Sequence, residues 1–180
     1  MPFEGVSCLL KKDILSDFIS TTSYMDQSKS EFVRRDIIPL LRRADPSLPA
    51  VWGKMSFQHM VEHLVLSVKN ANGKIKTQKV FTPVEKLPAS RKFLMSDQEF
   101  RQNTKSPAFP EEPLPLHFPS AKEGIDKLER ELADFFLTYE SHPGIMIDNP
   151  VFGALNYDEA VQLLYKHTRH HLKQFGLLNS

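Results

Sequence analysis

Near its C-terminus the chain reads KHTRHHLKQFG, Lys166 to Gly176, which places three of the protein's seven histidines within five residues. A neutral imidazole keeps a lone pair on one ring nitrogen near neutral pH, so converging histidines can hold a transition metal or relay protons. Which of the three converge depends on the helix that carries them. Ala160, Val161, Leu164, Tyr165, Leu172 and Phe175 mark an apolar stripe, and at about 100° per residue His167 and His171 fall together at its edge. His170 falls about 150° from the stripe centre, toward solvent or a rim. The i, i+4 spacing of His167 and His171 stacks two rings one turn apart, which suits two ligands of one ion. Two core-edge histidines hydrogen-bonded to neighbours would show the same spacing.

The segment QHMVEH repeats that spacing with His59 and His63. His63 borders the apolar stripe beside Met60 and His59 lies nearly opposite it, so His63 is the residue expected to complete a set with His167 and His171. Three neutral nitrogens leave coordination positions open, as in catalytic rather than structural zinc-type sites. Protons compete for the same lone pairs, so the ion is expected to leave below about pH 6. His117 and His142 stand near prolines in loop-like sequence and are expected in solvent.

Helices must position these residues. SKSEFVRRDIIPLLRRADP predicts a first helix capped by Ser28 or Ser30, with a kink at Pro39 and an end before Asp45-Pro46. SFQHMVEHLVLSVKNANG predicts a second, from a Ser56 cap to Gly73. Seven of the thirteen prolines lie between Phe81 and Pro119, so that stretch is expected to be a long crossover with one short helix around PVEKLPASRKFLM. SAKEGIDKLERELADFFLTYE opens with Ser120 and Glu123 in capping-box spacing, and the last helix opens the same way with Asn156 and Glu159 before stopping at Gly176. The expected fold class is all-α, a four-helix bundle over residues 28–180 with an N-terminal extension over 1–27.

The 23 basic and 22 acidic residues nearly cancel, and no apolar run approaches the roughly twenty residues of a membrane span. No nucleic-acid or membrane partner is therefore expected. The single cysteine, Cys8, excludes an internal disulfide and fits a cytoplasmic protein. No glutamate follows His167, so the helix-borne zinc protease motif is absent, as are phosphate-cradling loops, dinucleotide fingerprints and nucleophile elbows.

The strings WGKMSFQHMVEHL and NPVFGALNYDEAVQLLYKHTRHHLKQFGL, in that order, resemble a DinB-like subfamily of unknown function within the DinB/YfiT superfamily of metalloenzymes. The resemblance spans roughly Phe32 to Leu178 and is weak across the proline-rich middle. It implies a four-helix bundle whose zinc or nickel is held by one histidine of the second helix and an HxxxH pair of the last, which fall here on His63, His167 and His171. Some superfamily members transfer low-molecular-weight thiols through a metal-activated thiolate. Phe152-Gly153 and Gln174-Phe175-Gly176 also match, without a known role, and Gly153 and Gly176 read as backbone-shape positions. The expected function is that of a metal-dependent transferase or hydrolase acting on a small molecule, such as a thiol, with a homodimer left open. The alternative is a non-catalytic helical-bundle module for binding or stress response.

Overall fold

The computed structural model describes residues 27–104, 110 and 112–179; of the expected extension over 1–27, all but residue 27, and Cys8 with it, lies outside the described residues. The chain is mostly helical. Helix α1 runs over 27–43, so Ser28 and Ser30 lie inside it rather than capping it. Within α1, Phe32–Asp36 forms a π-helical turn directly ahead of the α-helical Ile37–Arg43. Pro39 has no N–H to return to the preceding turn and crowds its carbonyls, and the widened turn just upstream accommodates it.

Helix α2, Phe57–Ala71, starts at Ser56 through a capping box in which His59 occupies the position usually held by glutamate. The His59 amide donates to Ser56 Oγ at 3.3 Å, and the Ser56 amide donates to His59 Nδ1 at 3.3 Å. His59 is thereby committed to the helix start. A 3₁₀ turn, Val84–Lys86, leads into α3, Leu87–Met95, the short helix expected in the crossover. Helix α4, Ala121–Ser141, is capped by Ser120, and α5, Tyr157–Gln174, carries the full Asn156–Glu159 box. Between α4 and α5 the chain forms a small antiparallel hairpin, β1 (Ile147–Asn149) and β2 (Gly153–Leu155), paired Ile147 to Leu155 and Asn149 to Gly153. The mostly helical character expected is thus present, and the small hairpin is an addition to the all-α expectation. Strands of three residues carry no readable alternation, and their turn is closed by Asn149 Oδ1, which accepts the amides of Val151 and Phe152 at 2.9 and 3.1 Å.

Helices α1, α2, α4 and α5 share one apolar core, in which Val33, Leu41, Met60, Leu64, Leu128, Phe135, Leu164 and Leu172 are fully enclosed. The most extensive packing joins α2 to α4. At its far end this pair is fastened by Glu131, which is 0% exposed. Its carboxylate accepts from Asn72 Nδ2 and Lys74 Nζ, both at 2.8 Å, and lies 2.7 Å from Lys127 Nζ. Burial pushes this carboxyl up, but the bonds from Lys127, Lys74 and Asn72 prevail and hold it at about 2.

Helix α3 rests on α5, held by polar residues of α5 spaced three or four apart. Glu159 takes a two-pronged ion pair from Arg91, with Nη2 2.6 Å from each carboxylate oxygen. Gln162 Nε2 donates to the Leu94 carbonyl at 3.0 Å. Lys166, only 8% exposed, donates to the carbonyls of Phe93, Leu94 and Ser96 at 2.8, 3.2 and 3.1 Å. These belong to the C-terminal turn of α3, where a cation meets both carbonyls that have no partner within the α-helix and the negative end of the helix dipole. Lys173 closes the series on Glu99 at 2.6 Å. Among the described residues no helix is long and apolar enough to cross a membrane.

Replacing Lys166 with methionine removes the charged donor that these carbonyls share and leaves Phe93 to Ser96 and Leu94 to Gln162, at a cost of about 1.5–3 kcal/mol. Lys166→Met is expected to speed proteolytic cleavage between residues 81 and 104 by tenfold or more, with helix content by circular dichroism unchanged. Cleavage at the wild-type rate would show that Lys166 does not hold the crossover.

Candidate metal centre

The apolar stripe of α2 ends on one side at His63, and that of α5 at His167 and His171. The two helices run antiparallel, with Phe57 at the start of α2 packed edge-on against Phe175 at the end of α5, ring centres 5.8 Å apart. In that register His63 lies opposite both histidines of α5. His63 Nε2 and His171 Nε2 each stand 3.0 Å from His167 Nε2. The three residues can each present a nitrogen within 4.8 Å of the others, and they are the group of metal-ligating side chains found among the described residues. His171 is buried and the other two half-buried.

This donor set fits a transition ion. Two nitrogens bound to one zinc-like ion about 2.1 Å away sit roughly 3.0–3.4 Å from each other, which matches the 3.0 Å between His167 and each of the other two. His167 Nε2 faces two neighbours at once, and its one hydrogen or one lone pair cannot serve two linear hydrogen bonds. A cation among the three nitrogens would engage every lone pair. Burial pushes His63 down to about 4 and His171 to about 3, and holds His167 well below the usual imidazole value, with neighbouring histidines adding to each shift. The rings are therefore kept in the neutral form that binds metal.

Of the remaining histidines, none joins the cluster. His170, expected toward solvent or a rim, is half-buried at the rim between Trp52 and Phe100, ring centres 5.7 and 6.2 Å away. Burial pushes it down, opposed by a hydrogen bond to the Phe100 backbone and the charge of Glu99. His170 thus continues the polar series of α5 that holds the crossover, and Phe100 also lies against His167 at 6.3 Å. His117 and His142 are exposed, as expected. Glu62 is not a free base, because its carboxylate accepts the amides of His117 and Phe118 at 2.7 and 3.1 Å and pins the end of the crossover to α2. Tyr165 packs edge-on against Phe32, 5.4 Å between ring centres, within the helix packing.

Two residues beside the cluster had no role legible in the sequence. Gln174, 3% exposed, meets His171 Nδ1 through Oε1 at 2.8 Å, and its Nε2 donates to the Trp52 carbonyl at 2.8 Å. Gly53 lets the Trp52 loop come this close: with φ +81°, a Cβ there would stand 2.8 Å from Gln174 Nε2. The spacing of Gln174, three residues after His171 and so on one helix face, was the available signal. Gly153 and Gly176 take positive φ, 73° and 67°, in keeping with their reading as backbone-shape positions.

The low imidazole values set a pH window. The unfolded chain binds protons near pH 6.5 that the folded rings refuse, so stability is complete above that pH and falls as the pH drops toward about 4. Metal-free protein should lose up to about 1.4 kcal/mol per pH unit for each such histidine, read from urea midpoints at pH 7, 6 and 5. A flat profile would mean that the rings are solvated. No family model matches this chain, and comparison with curated proteins and with solved structures found no match to it.

Proposed function

We propose that His63, His167 and His171 hold one divalent transition metal, zinc or nickel, and that the protein is a metal-dependent enzyme of the DinB/YfiT-like kind. In this reading α1, α2, α4 and α5 form the four-helix bundle and the crossover with α3 forms one wall of the site. The substrate is a small molecule, with a low-molecular-weight thiol as the leading class, and the reaction is transfer of a small group or hydrolysis. The observation that carries the reading is the convergence of three ring nitrogens from two helices within ligand distance of one another. When bound, such an ion acts as a Lewis acid and lowers the pKa of a thiol or water. With only neutral ligands the centre keeps its full positive charge, which favours an anionic group such as thiolate in an open position. Trp52, Phe100 and His170 border the cluster and shield one side of it from water.

Tag-free protein purified without added metal is expected to carry close to one transition ion per chain by elemental analysis. His63→Ala, His167→Ala and His171→Ala should each weaken zinc or nickel binding by several kcal/mol, judged against roughly 10–16 kcal/mol for four-ligand structural zinc. His170→Ala and His59→Ala should leave it nearly intact, with His59→Ala losing about 1 kcal/mol of helix-start stability. Protein that is metal-free and takes up neither ion tightly would overturn the enzyme reading and leave a non-catalytic helical module.

A further inference from the structure

We infer that Gln174 is a positioning residue for the metal centre: anchored by the Trp52 carbonyl, it fixes the tautomer and ring orientation of His171 so that Nε2 is the nitrogen left free to bind. The inference rests on the metal reading above but concerns a different residue and a property that exists without metal.

The argument follows from what each atom can donate or accept. The Trp52 carbonyl oxygen can only accept, so the Gln174 atom 2.8 Å from it must be the amide nitrogen. Turning the amide over would oppose two oxygens at that distance. The other end of the amide, Oε1, therefore faces His171 Nδ1 at 2.8 Å, and it can only accept. Nδ1 must carry the hydrogen, and in the neutral ring Nε2 then holds the lone pair. That Nε2 is the atom 3.0 Å from His167 Nε2, inside the cluster. A main-chain carbonyl thus selects a tautomer two hydrogen bonds away.

The anchor is itself rigid. The Val51 amide donates to the Gln174 carbonyl at 2.8 Å, so the loop before α2 is tied to Gln174 through both backbone and side chain. Gly53 leaves no side chain in the space that Gln174 Nε2 occupies. Both Gln174 and His171 are buried, at 3% and 6% exposure, so water does not compete for either bond. Ligating histidines are commonly held this way by an acceptor on the far ring nitrogen, and its loss typically weakens metal binding 10–100-fold.

The test uses the full chain and zinc as the probe. In metal-free wild-type protein at pH 7, nitrogen-15 NMR of the imidazoles should show His171 with its hydrogen on Nδ1. Gln174→Met, which preserves volume but cannot accept strongly, should mix the two tautomers and weaken zinc binding 10–100-fold, with helix content retained. Gln174→Glu should keep the Nδ1 hydrogen, because a carboxylate still accepts, while opposing the Trp52 carbonyl. A wild-type His171 with its hydrogen on Nε2, or a Gln174→Met protein with wild-type tautomer and zinc affinity, would overturn the inference. If wild-type protein binds no zinc, the metal reading fails, yet the tautomer measurement still decides whether Gln174 sets His171. Should Gln174→Met fail to fold, the wild-type tautomer and that of Gln174→Glu decide the matter.

Discussion

The histidine cluster depends on the register in which the first half of α2 faces the last half of α5. One helical turn of sliding, about 5.4 Å, would take His63 out of reach of at least one histidine of α5. The register is fixed from the end nearest the cluster. Phe57 and Phe175 interlock beneath the rings, and the loop at Val51 and Trp52 is bonded to Gln174 at both backbone and side chain. The hydrophobic effect is non-directional, whereas the paired hydrogen bonds at 2.8 Å fix both position and direction.

Helix α5 meets three environments at once. Its apolar stripe enters the core, its edge at His167 and His171 meets α2, and a polar series from Glu159 through Gln162, Lys166 and His170 to Lys173 receives the crossover. The third face is unusual in being polar and largely covered. It works because the crossover brings a helix C-terminus with open carbonyls, which need donors that an apolar surface could not supply. Placing Phe100 against His167 and His170 then follows from where Lys166 and Lys173 hold the segment on either side.

Two charged groups buried elsewhere in the fold are balanced by named partners. Glu131 stays ionised because two lysines and an asparagine surround it, and Lys166 stays bonded because a helix end faces it. The three histidines are held differently. They are desolvated, crowded and matched mainly to one another, an arrangement that is costly for polar groups and that convergence on a cation would resolve.

The sequence by itself determined the helices, the caps of α2, α4 and α5 and the facing of the histidines on α2 and α5, because these follow from patterns within a single helix. Apolar spacing placed His167 and His171 on one edge, His63 at a margin and His59 away from it, and the structure brings the first three together. The tertiary structure alone decided what the other polar positions do. His59 replaces glutamate in a cap, since an imidazole nitrogen can accept an amide hydrogen as a carboxylate does. The series at Glu159, Gln162, Lys166 and His170 had a readable spacing, but a polar face looks the same in sequence whether water or a helix end satisfies it. Gln174 needed the most distant information: its role is set by a carbonyl 122 residues away in the chain, and a main-chain carbonyl leaves no mark on residue type. The hairpin at 147–155 was hidden for a different reason, because three-residue strands are too short for alternation to register and are held by turn geometry.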